Sequence, residues 1–198
     1  MSLKHTILGF LNMRAFSGYD LWKMFNGSVN NYWSATHTQI YKTLSELEKG
    51  EMVEIELIQQ VTTPNKKIYH LTEIGKKELL RWLQTPIDLP PVRDKFLVQF
   101  SFSDILNHDD IILNIESYIK KIEIKLEELS SEQYRVYFKY AHSDREKFLW
   151  EKTLEHGIWS YENELKWLKD CLKTYKQLFV DKGKVNLVEE DKKDEQKN

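Results

Sequence analysis

The chain has 198 residues, of which 41% are hydrophobic and 30% are charged, and this size suits one domain or two small ones. Its formal net charge of −2 excludes a uniformly basic protein, so any surface for nucleic acid must be locally basic. A single cysteine excludes an intrachain disulfide, and the apolar run near the N-terminus is too short for a signal sequence or a membrane span. We therefore expect a cytoplasmic protein without a membrane partner.

Apolar periodicity and capping residues predict two helices at the start of the chain. Apolar residues recur at helical spacing over residues 3–13, which predicts the first helix. Ser17 can cap a second helix over residues 18–25, because Asp20 lies three positions later, as in a capping box. A connection near residues 28–33 then leads to a third helix.

The third predicted helix has one apolar face and one polar face. Ser34 is its expected cap, and Gly50 is its expected end. Ile40, Leu44 and Leu47 share one face, which predicts that this face packs on the core. The opposite face carries hydrogen-bonding side chains, and the pattern alone leaves open whether that face is merely solvated or contacts a partner.

A β-hairpin and a fourth helix are predicted next. Residues 52–60 alternate apolar and acidic side chains with a period of two, which predicts a strand. Residues 62–67 suit a turn, and residues 67–72 alternate again as a second strand. Thr72 is the expected cap of a helix over residues 73–83. Three helices followed by a hairpin and another helix is the plan of a winged helix-turn-helix domain.

A proline-rich segment divides the predicted domains. Three of the four prolines lie within residues 84–94, where they prevent a continuous helix. We therefore predict a winged-helix domain over residues 1–86 and a helical domain over residues 87–180. The tail, residues 181–198, has few large apolar side chains and is expected to be disordered. The predicted fold is mainly α with a small β-hairpin.

The helical domain is expected to mediate dimerisation through a long last helix. Helical patterns cover residues 94–102, 108–130 and 131–142, and the last helix can run over residues 144–179, roughly 50 Å. A single chain of this size offers no core of that length, so we expect a second copy of the chain to cover the apolar side chains of this helix. The alternative is that the helices form a bundle within one chain. The expected interface residues are Trp150, Leu154, Trp159, Leu165, Leu168 and Leu172.

Acidic residues are missing from the two elements that a winged helix places on DNA. No Asp or Glu occurs in residues 31–45, although about one residue in six of the chain is acidic. The hairpin over residues 59–72 also lacks acidic residues and carries Lys66 and Lys67. Residues 1–86 hold ten basic and eight acidic residues, whereas the remainder holds nineteen and twenty-three. This distribution suits a phosphate backbone and favours double-stranded DNA as the partner.

The candidate contacts of the third helix lie in its first half. Their side chains can hydrogen-bond to base edges or phosphates, and the amides at the start of the helix can also bind a phosphate. Glu46 and Glu48 would repel phosphates, so contact between DNA and the second half of this helix is unfavourable. His37 projects beside the apolar face, so a structural role and a phosphate contact are both open. The expected contacts are Ser34, His37, Thr38, Gln39, Tyr41, Lys42 and Ser45.

The chain also resembles a known family. The pieces "ILGFLNMRAFSGYDL", "QIYKTLSELEKGEMVE" and "KKIYHLTEIGKKELLRWL" resemble the winged-helix domain of the PadR family of bacterial transcription regulators. The C-terminal helices are similar to those of the virulence-activator-type branch of that family. Four residues match the family's wing-to-helix signature, namely Tyr69, Leu71, Thr72 and Gly75.

The resemblance implies a homodimer that binds a roughly palindromic DNA site. It implies DNA contacts by Thr38, Gln39, Tyr41 and Lys42 on the third helix, and by Asn65, Lys66 and Lys67 at the wing. The six tryptophans suit packing in the core or the dimer interface, and the alternative is a hydrophobic cavity between subunits that binds a small aromatic effector. In PadR-like proteins such binding would change the separation of the two reading helices. This wing carries two lysines where the family often has more arginine, so DNA binding is expected to depend strongly on salt.

Other chemistries find little support in the sequence. The six histidines show no metal-ligand spacing, the glycines form no phosphate-binding loop, and no nucleophile motif occurs, so neither a cofactor nor an enzyme is expected. Cys171 is interpreted as a packing residue, with a redox role as the alternative. The predicted function is a DNA-binding transcriptional repressor. The alternative function is a winged helix that contacts another protein and not DNA.

Overall fold

A computed structural model gives the fold of residues 2–27, 33–59, 65–89 and 93–181. The chain divides into two compact units, the first formed by Met1–Leu89 with Glu132–Leu154 and the second by Pro90–Ser131 with Glu155–Asn198. The first block ends close to the boundary predicted after residue 86. Residues 132–154, which we predicted in the helical domain, group with the first unit instead. The predicted tail beyond residue 181 lies outside the described residues.

The first unit contains the predicted helices and hairpin in the predicted order. Its elements in the block before residue 90 are α1 (Ser2–Met13), β1 (Phe16–Ser17), α2 (Gly18–Gly27), α3 (His37–Lys49), β2 (Val53–Ile58), β3 (Lys66–Leu71) and α4 (Glu73–Leu83). This arrangement confirms the winged helix-turn-helix prediction. The cap of α4 is also confirmed, because the Thr72 hydroxyl accepts a hydrogen bond from the Gly75 amide at 3.1 Å.

The sheet of the first unit has a third strand that the sequence pattern does not reveal. β1 pairs antiparallel with β3, so the strand order is β1-β3-β2, and Phe16 lies opposite Tyr69. A strand of two residues is too short to show a period of two. Its pairing depends on contacts with residues about fifty positions away, which no local pattern encodes.

The core of the first unit lies between the helices and one face of this sheet. Ile40, Leu44 and Leu47 of α3 are buried there together with Tyr69 of β3. The predicted apolar face of the third helix is therefore confirmed. Because α3 is held on the core by this face, its opposite face is turned to solvent.

A polar cluster joins α1 to α4 at the edge of this core. The Glu78 carboxylate accepts hydrogen bonds from Lys4 at 2.9 Å and from Arg81 at 2.6 Å, and it lies 3.2 Å from the His5 ring. The His5 side chain is buried and stacks on Trp82 with ring centroids 4.6 Å apart. Hydrogen bonds from Lys4, Arg81 and His5 lower the pKa of Glu78 to about 2.

Glu78→Gln is expected to destabilise the fold at neutral pH and to weaken its response to acid. The folded pKa of Glu78 lies below the ordinary value of 4.5, so its carboxylate stabilises the fold above that pH. This contribution is lost as pH falls from 4.5 through about 2. Denaturant midpoints at about pH 7 and about pH 3 should therefore differ less in the variant than in the wild type. The exposed Glu162 provides a control, because Glu162→Gln should retain the wild-type response.

The second unit is helical. The elements of the chain after residue 93 are α5 (Lys95–Ser101), a 3₁₀ turn (Ser103–Ile105), α6 (His108–Ser130), α7 (Glu132–Arg135), a second 3₁₀ turn (Val136–Tyr140), α8 (Asp144–Tyr175) and a π-helical end (Lys176–Asp181). The predicted long last helix is therefore observed, and the Ser143 hydroxyl accepts a hydrogen bond from the Glu146 amide at 3.1 Å, as expected of its cap. None of the helices that the structure describes is both long and apolar enough to cross a membrane.

The core of the second unit forms between α6 and the second half of α8. Ile111, Ile115, Ile119 and Ile122 of α6 surround Leu168, which has 0% exposure. Ion pairs between Lys169 and Glu123 and between Lys176 and Glu116, each 2.7 Å long, show that the helices run antiparallel.

This core changes the interpretation of three predicted interface residues. Leu165 and Leu172 are partly buried against α6, and Leu168 is fully buried there, all within one chain. Leu168 therefore belongs to an intrachain core and has no surface left for a partner, which corrects its predicted place in a dimer interface. The sequence shows the apolar stripe on α8 but cannot show whether α6 or a second chain covers it.

Candidate nucleic-acid interface

Helix α3 begins two residues later than the sequence suggested. Thr36 is its cap, and its hydroxyl accepts a hydrogen bond from the Gln39 amide at 3.2 Å. The Gln39 side chain in turn accepts a hydrogen bond from the Thr36 amide at 2.8 Å, which completes a capping box. The predicted cap at Ser34 is therefore wrong. Ser34 has His37 at the position where a capping box needs Glu or Gln, so it cannot form the reciprocal bond.

Thr36→Ala should destabilise the first unit by about 1 kcal/mol, because the variant loses the hydroxyl that accepts from the Gln39 amide and donates to the Gln39 side chain. Ser34→Ala is the matched control, and its effect should stay within about 0.5 kcal/mol. Urea unfolding followed by circular dichroism measures both effects. Equal losses in the two variants would contradict the assignment of the cap.

The predicted contact residues of the first unit are all exposed to solvent. Each predicted residue on or just before α3 is exposed, and so are the three at the wing. These residues are Ser34, His37, Thr38, Gln39, Tyr41, Lys42, Ser45, Asn65, Lys66 and Lys67. The surface is thus open to a partner, and contact with DNA stays a prediction at this point.

Two of these residues also hold α3 against α2. Tyr41 packs over Gly18, where an added Cβ would lie 2.7 Å from the Tyr41 ring, so a larger residue at this position would displace that ring. The His37 ring lies 4.5 Å from the Tyr41 ring and 5.9 Å from the Trp22 ring. His37 therefore takes part in packing while it remains exposed, so both of its predicted roles are compatible with its position.

The wing holds one of its two lysines in an ion pair. The Lys66 ammonium lies 3.2 Å from the carboxylate of Asp20 on α2, and the Ser17 hydroxyl donates to the same carboxylate at 2.7 Å. The sequence suggested Ser17 and Asp20 only as a helix start. The contact with Lys66 spans 46 positions of the chain, so it carries no local signal.

The described acidic residues near this surface lie away from the first half of α3. Glu46 and Glu48 are exposed in its second half, and Glu56 on β2 lies 2.9 Å from the ring of His70. The first half of α3 therefore presents Lys42 and neutral hydrogen-bonding side chains, a combination suited to phosphates and base edges.

In the second unit, an open cavity of about 830 Å³ lies beside α5 and α6. Its wall includes Phe96, Phe100 and Tyr118, and the Phe96 and Tyr118 rings stack with centroids 4.2 Å apart. Of the remaining predicted interface residues, Trp159 is 60% exposed, whereas Trp150 and Leu154 are partly exposed.

The described residues offer little for metal or thiol chemistry. No group of three or more His, Cys, Asp or Glu within these residues could hold a metal ion. Burial raises the pKa of the Cys171 thiol and so disfavours the reactive thiolate.

Comparisons with known proteins match both parts of the chain. Residues 7–81 match the transcriptional regulator PadR-like family, and residues 92–176 match the virulence activator alpha C-terminal family. The probable transcriptional regulator Rv1176c of Mycobacterium tuberculosis is 39% identical over 106 residues, which are 53% of this chain and 56% of that protein. The negative transcriptional regulator PadR of Bacillus subtilis is 34% identical over 128 residues, which are 64% of this chain and 70% of that protein.

Solved structures have a fold similar to that of most of the chain. The protein smu.1604c of Streptococcus mutans UA159 is 32% identical with a TM-score of 0.73, and the match covers 86% of this chain and 98% of that one. Bacillus subtilis PadR in complex with operator DNA is 28% identical with a TM-score of 0.76, and the match covers 88% and 99%. The same protein has also been solved with p-coumaric acid.

Proposed function

Because the chain belongs to the PadR-like family of transcriptional regulators, we propose that it binds specific DNA sites in the cytoplasm and represses transcription. The observation that carries the proposal is the exposed, acid-free first half of α3, together with exposed Lys66 and Lys67 at the start of β3 in the same unit. The solved complex of Bacillus subtilis PadR with operator DNA supports the same use of this fold. The description of that protein as a negative regulator supports repression.

The proposed contacts divide into two groups. Residues on the first half of α3 enter the major groove, where Thr38, Gln39 and Lys42 can reach base edges or phosphates. Ser34, His37, Tyr41 and Ser45 complete this surface. Asn65, Lys66 and Lys67 of the wing would approach the phosphate backbone, which orients the domain without reading sequence.

A homodimer on a palindromic site is part of the proposal. Two reading helices about 34 Å apart would meet successive turns of the major groove on one side of the duplex. Trp150, Leu154 and Trp159 retain exposed surface for a second chain, whereas Leu165 and Leu172 can contribute only their uncovered edges. The cavity beside α5 and α6, whose wall is partly aromatic, supplies further uncovered surface.

We also propose that a small aromatic effector weakens DNA binding. The structure of Bacillus subtilis PadR with p-coumaric acid supports such a ligand class, and the aromatic wall of the α5–α6 cavity supplies a surface for stacking. Trp167 lies 6.1 Å from Phe100 in that wall, so an effector bound there should quench its fluorescence. Titration with phenolic acids tests this point, and unchanged fluorescence and DNA affinity would oppose it.

The decisive experiment is selection of bound sequences from a random pool of duplex DNA. A repressor should enrich one palindromic site, and fluorescence anisotropy on that site should show a steep loss of affinity with salt. Lys42→Ala should weaken binding and reduce the salt slope by about one unit, whereas Lys49→Ala in the second half of α3 should not. Failure to enrich any sequence, together with retention of a protein partner, would favour the protein-contact alternative.

A further inference from the structure

Helix α2 carries one acidic residue, Asp20, whose position beside the wing lysine Lys66 requires an explanation. Asp20 is the single acidic residue among residues 1–45, in a stretch that also carries Lys4, Arg14, Lys23 and Lys42. A carboxylate near a DNA-facing surface repels phosphate and lowers affinity. The contacts of Asp20 with Ser17 and Lys66 indicate a structural role for this carboxylate.

Asp20 is held in place from two sides. The Ser17 hydroxyl donates a hydrogen bond to its carboxylate at 2.7 Å, and the Asp20 amide donates to the Ser17 hydroxyl at 3.1 Å. The Lys66 ammonium of β3 donates to the same carboxylate oxygen at 3.2 Å. The first turn of α2 is therefore connected to the end of the wing strand. Ser17 itself pairs with Ile68 of β3, which adds a backbone connection beside the side-chain contact.

Lys67, the next residue of the wing strand, lies on the opposite face of the sheet from Lys66. Successive side chains of a strand point to opposite faces, so Lys66 and Lys67 face opposite sides of the sheet. Lys67 shares its face with Tyr69, which is buried against the core that includes α3. Among the described residues, Lys67 has no ion-pair partner, and its side chain is exposed. The two lysines are thus a matched pair, one bound within the chain and one available to a partner.

We propose that Ser17, Asp20 and Lys66 form a latch that fixes the wing against α2 and withholds Lys66 from DNA, so that Lys67 supplies the phosphate contact of the wing. This inference rests on the proposed DNA binding and revises it at Lys66. Lys66 is then a positioning residue, and Asp20 sets how many phosphates the domain can neutralise.

The latch has a measurable consequence for non-specific binding. A lysine that already has a carboxylate partner gains little from a phosphate and releases few counterions from DNA. Removal of the carboxylate frees the lysine and adds about one phosphate contact. The latch therefore lowers affinity for DNA of any sequence, and the effect is measured most directly on non-specific DNA, where base contacts contribute least.

The first test measures the salt slope on a 30-base-pair duplex of mixed sequence with the full-length protein. Asp20→Asn should steepen the slope by about 0.9, and the double variant Asp20→Asn with Lys66→Gln should return it to the wild-type value. Lys67→Gln should reduce the slope by about 0.9, whereas Lys66→Gln should reduce it by clearly less. An unchanged slope in Asp20→Asn, or equal reductions in the two lysine variants, would overturn the proposal.

The second test needs no DNA and separates failure of the latch from failure of the proposed function. Hydrogen bonds from Ser17 and Lys66 lower the pKa of Asp20, so selective ¹³C-aspartate labelling and NMR titration should show an acidic midpoint. Lys66→Gln should move this midpoint toward the ordinary value of 3.8, and Lys67→Gln should not. Equal midpoints in wild type and Lys66→Gln would overturn the latch. If the wild type shows no salt-dependent binding to duplex DNA, the proposed function fails, and this titration alone decides whether the latch forms.

Discussion

Gly75→Ala is expected to destabilise the first unit by roughly 2–3 kcal/mol, because a methyl group at this position overlaps the protein backbone. A Cβ built on Gly75 collides with the carbonyl oxygen of Met52 and lies 2.7 Å from the Leu71 side chain. The same carbonyl accepts a hydrogen bond from the Thr72 amide at 3.2 Å, so it cannot move without breaking that contact. Denaturant unfolding measures the loss.

A second glycine gives a control of opposite sign in the same unit. Gly9 lies within α1, and a Cβ built there meets no atom within 4 Å. Gly9→Ala should therefore raise the free energy of unfolding by about 0.5–1 kcal/mol, since alanine loses less conformational entropy in a helix. Equal effects of the two substitutions would contradict the steric explanation. The expected contrast also gives a physical reason for glycine in the wing-to-helix signature, where α4 packs directly on the start of β2.

Leu168→Ala should destabilise the second unit by about 2–5 kcal/mol, through lost burial and the cavity left among the α6 isoleucines. The Leu168 side chain has 0% exposure, and its neighbours belong to the same chain. The loss should therefore be similar at low and high protein concentration, because the cavity forms within each chain. Thermal unfolding at two concentrations, followed by circular dichroism, measures this effect.

Trp159 provides the matched comparison on the same helix. Its side chain is 60% exposed, so Trp159→Ala should change the core of one chain little. If Trp159 contributes to a dimer, the dimer of the variant should dissociate at a higher protein concentration than the wild-type dimer in analytical ultracentrifugation. Its unfolding should also become more dependent on protein concentration. A stable wild-type monomer in that experiment would contradict the proposed homodimer and leave the expected effect of Leu168→Ala unchanged.

The sequence by itself determined the features that depend on neighbours within one or two turns of chain. The spacing of Ile40, Leu44 and Leu47 gave the buried face of α3 because helical periodicity needs only local residues. Thr72 identified the start of α4 for the same reason, since a cap contacts an amide three residues away. The absence of acidic residues from α3's first half was also readable directly, because charge composition does not depend on folding.

The tertiary structure decided every feature that depends on which distant segment becomes a neighbour. β1 pairs with β3, Asp20 forms an ion pair with Lys66, and Gly75 lies against the backbone of Met52. The partners in each contact are too far apart in the sequence to produce a periodic pattern. The stripe on α8 could have been covered by α6 or by a second chain, and the burial of Leu168 shows that α6 covers that position. The sequence shows which surfaces are apolar and will be buried, because removal of apolar side chains from water is favourable. Only the folded structure shows which segment covers each apolar surface, because that depends on shape and on contacts between residues far apart in the sequence.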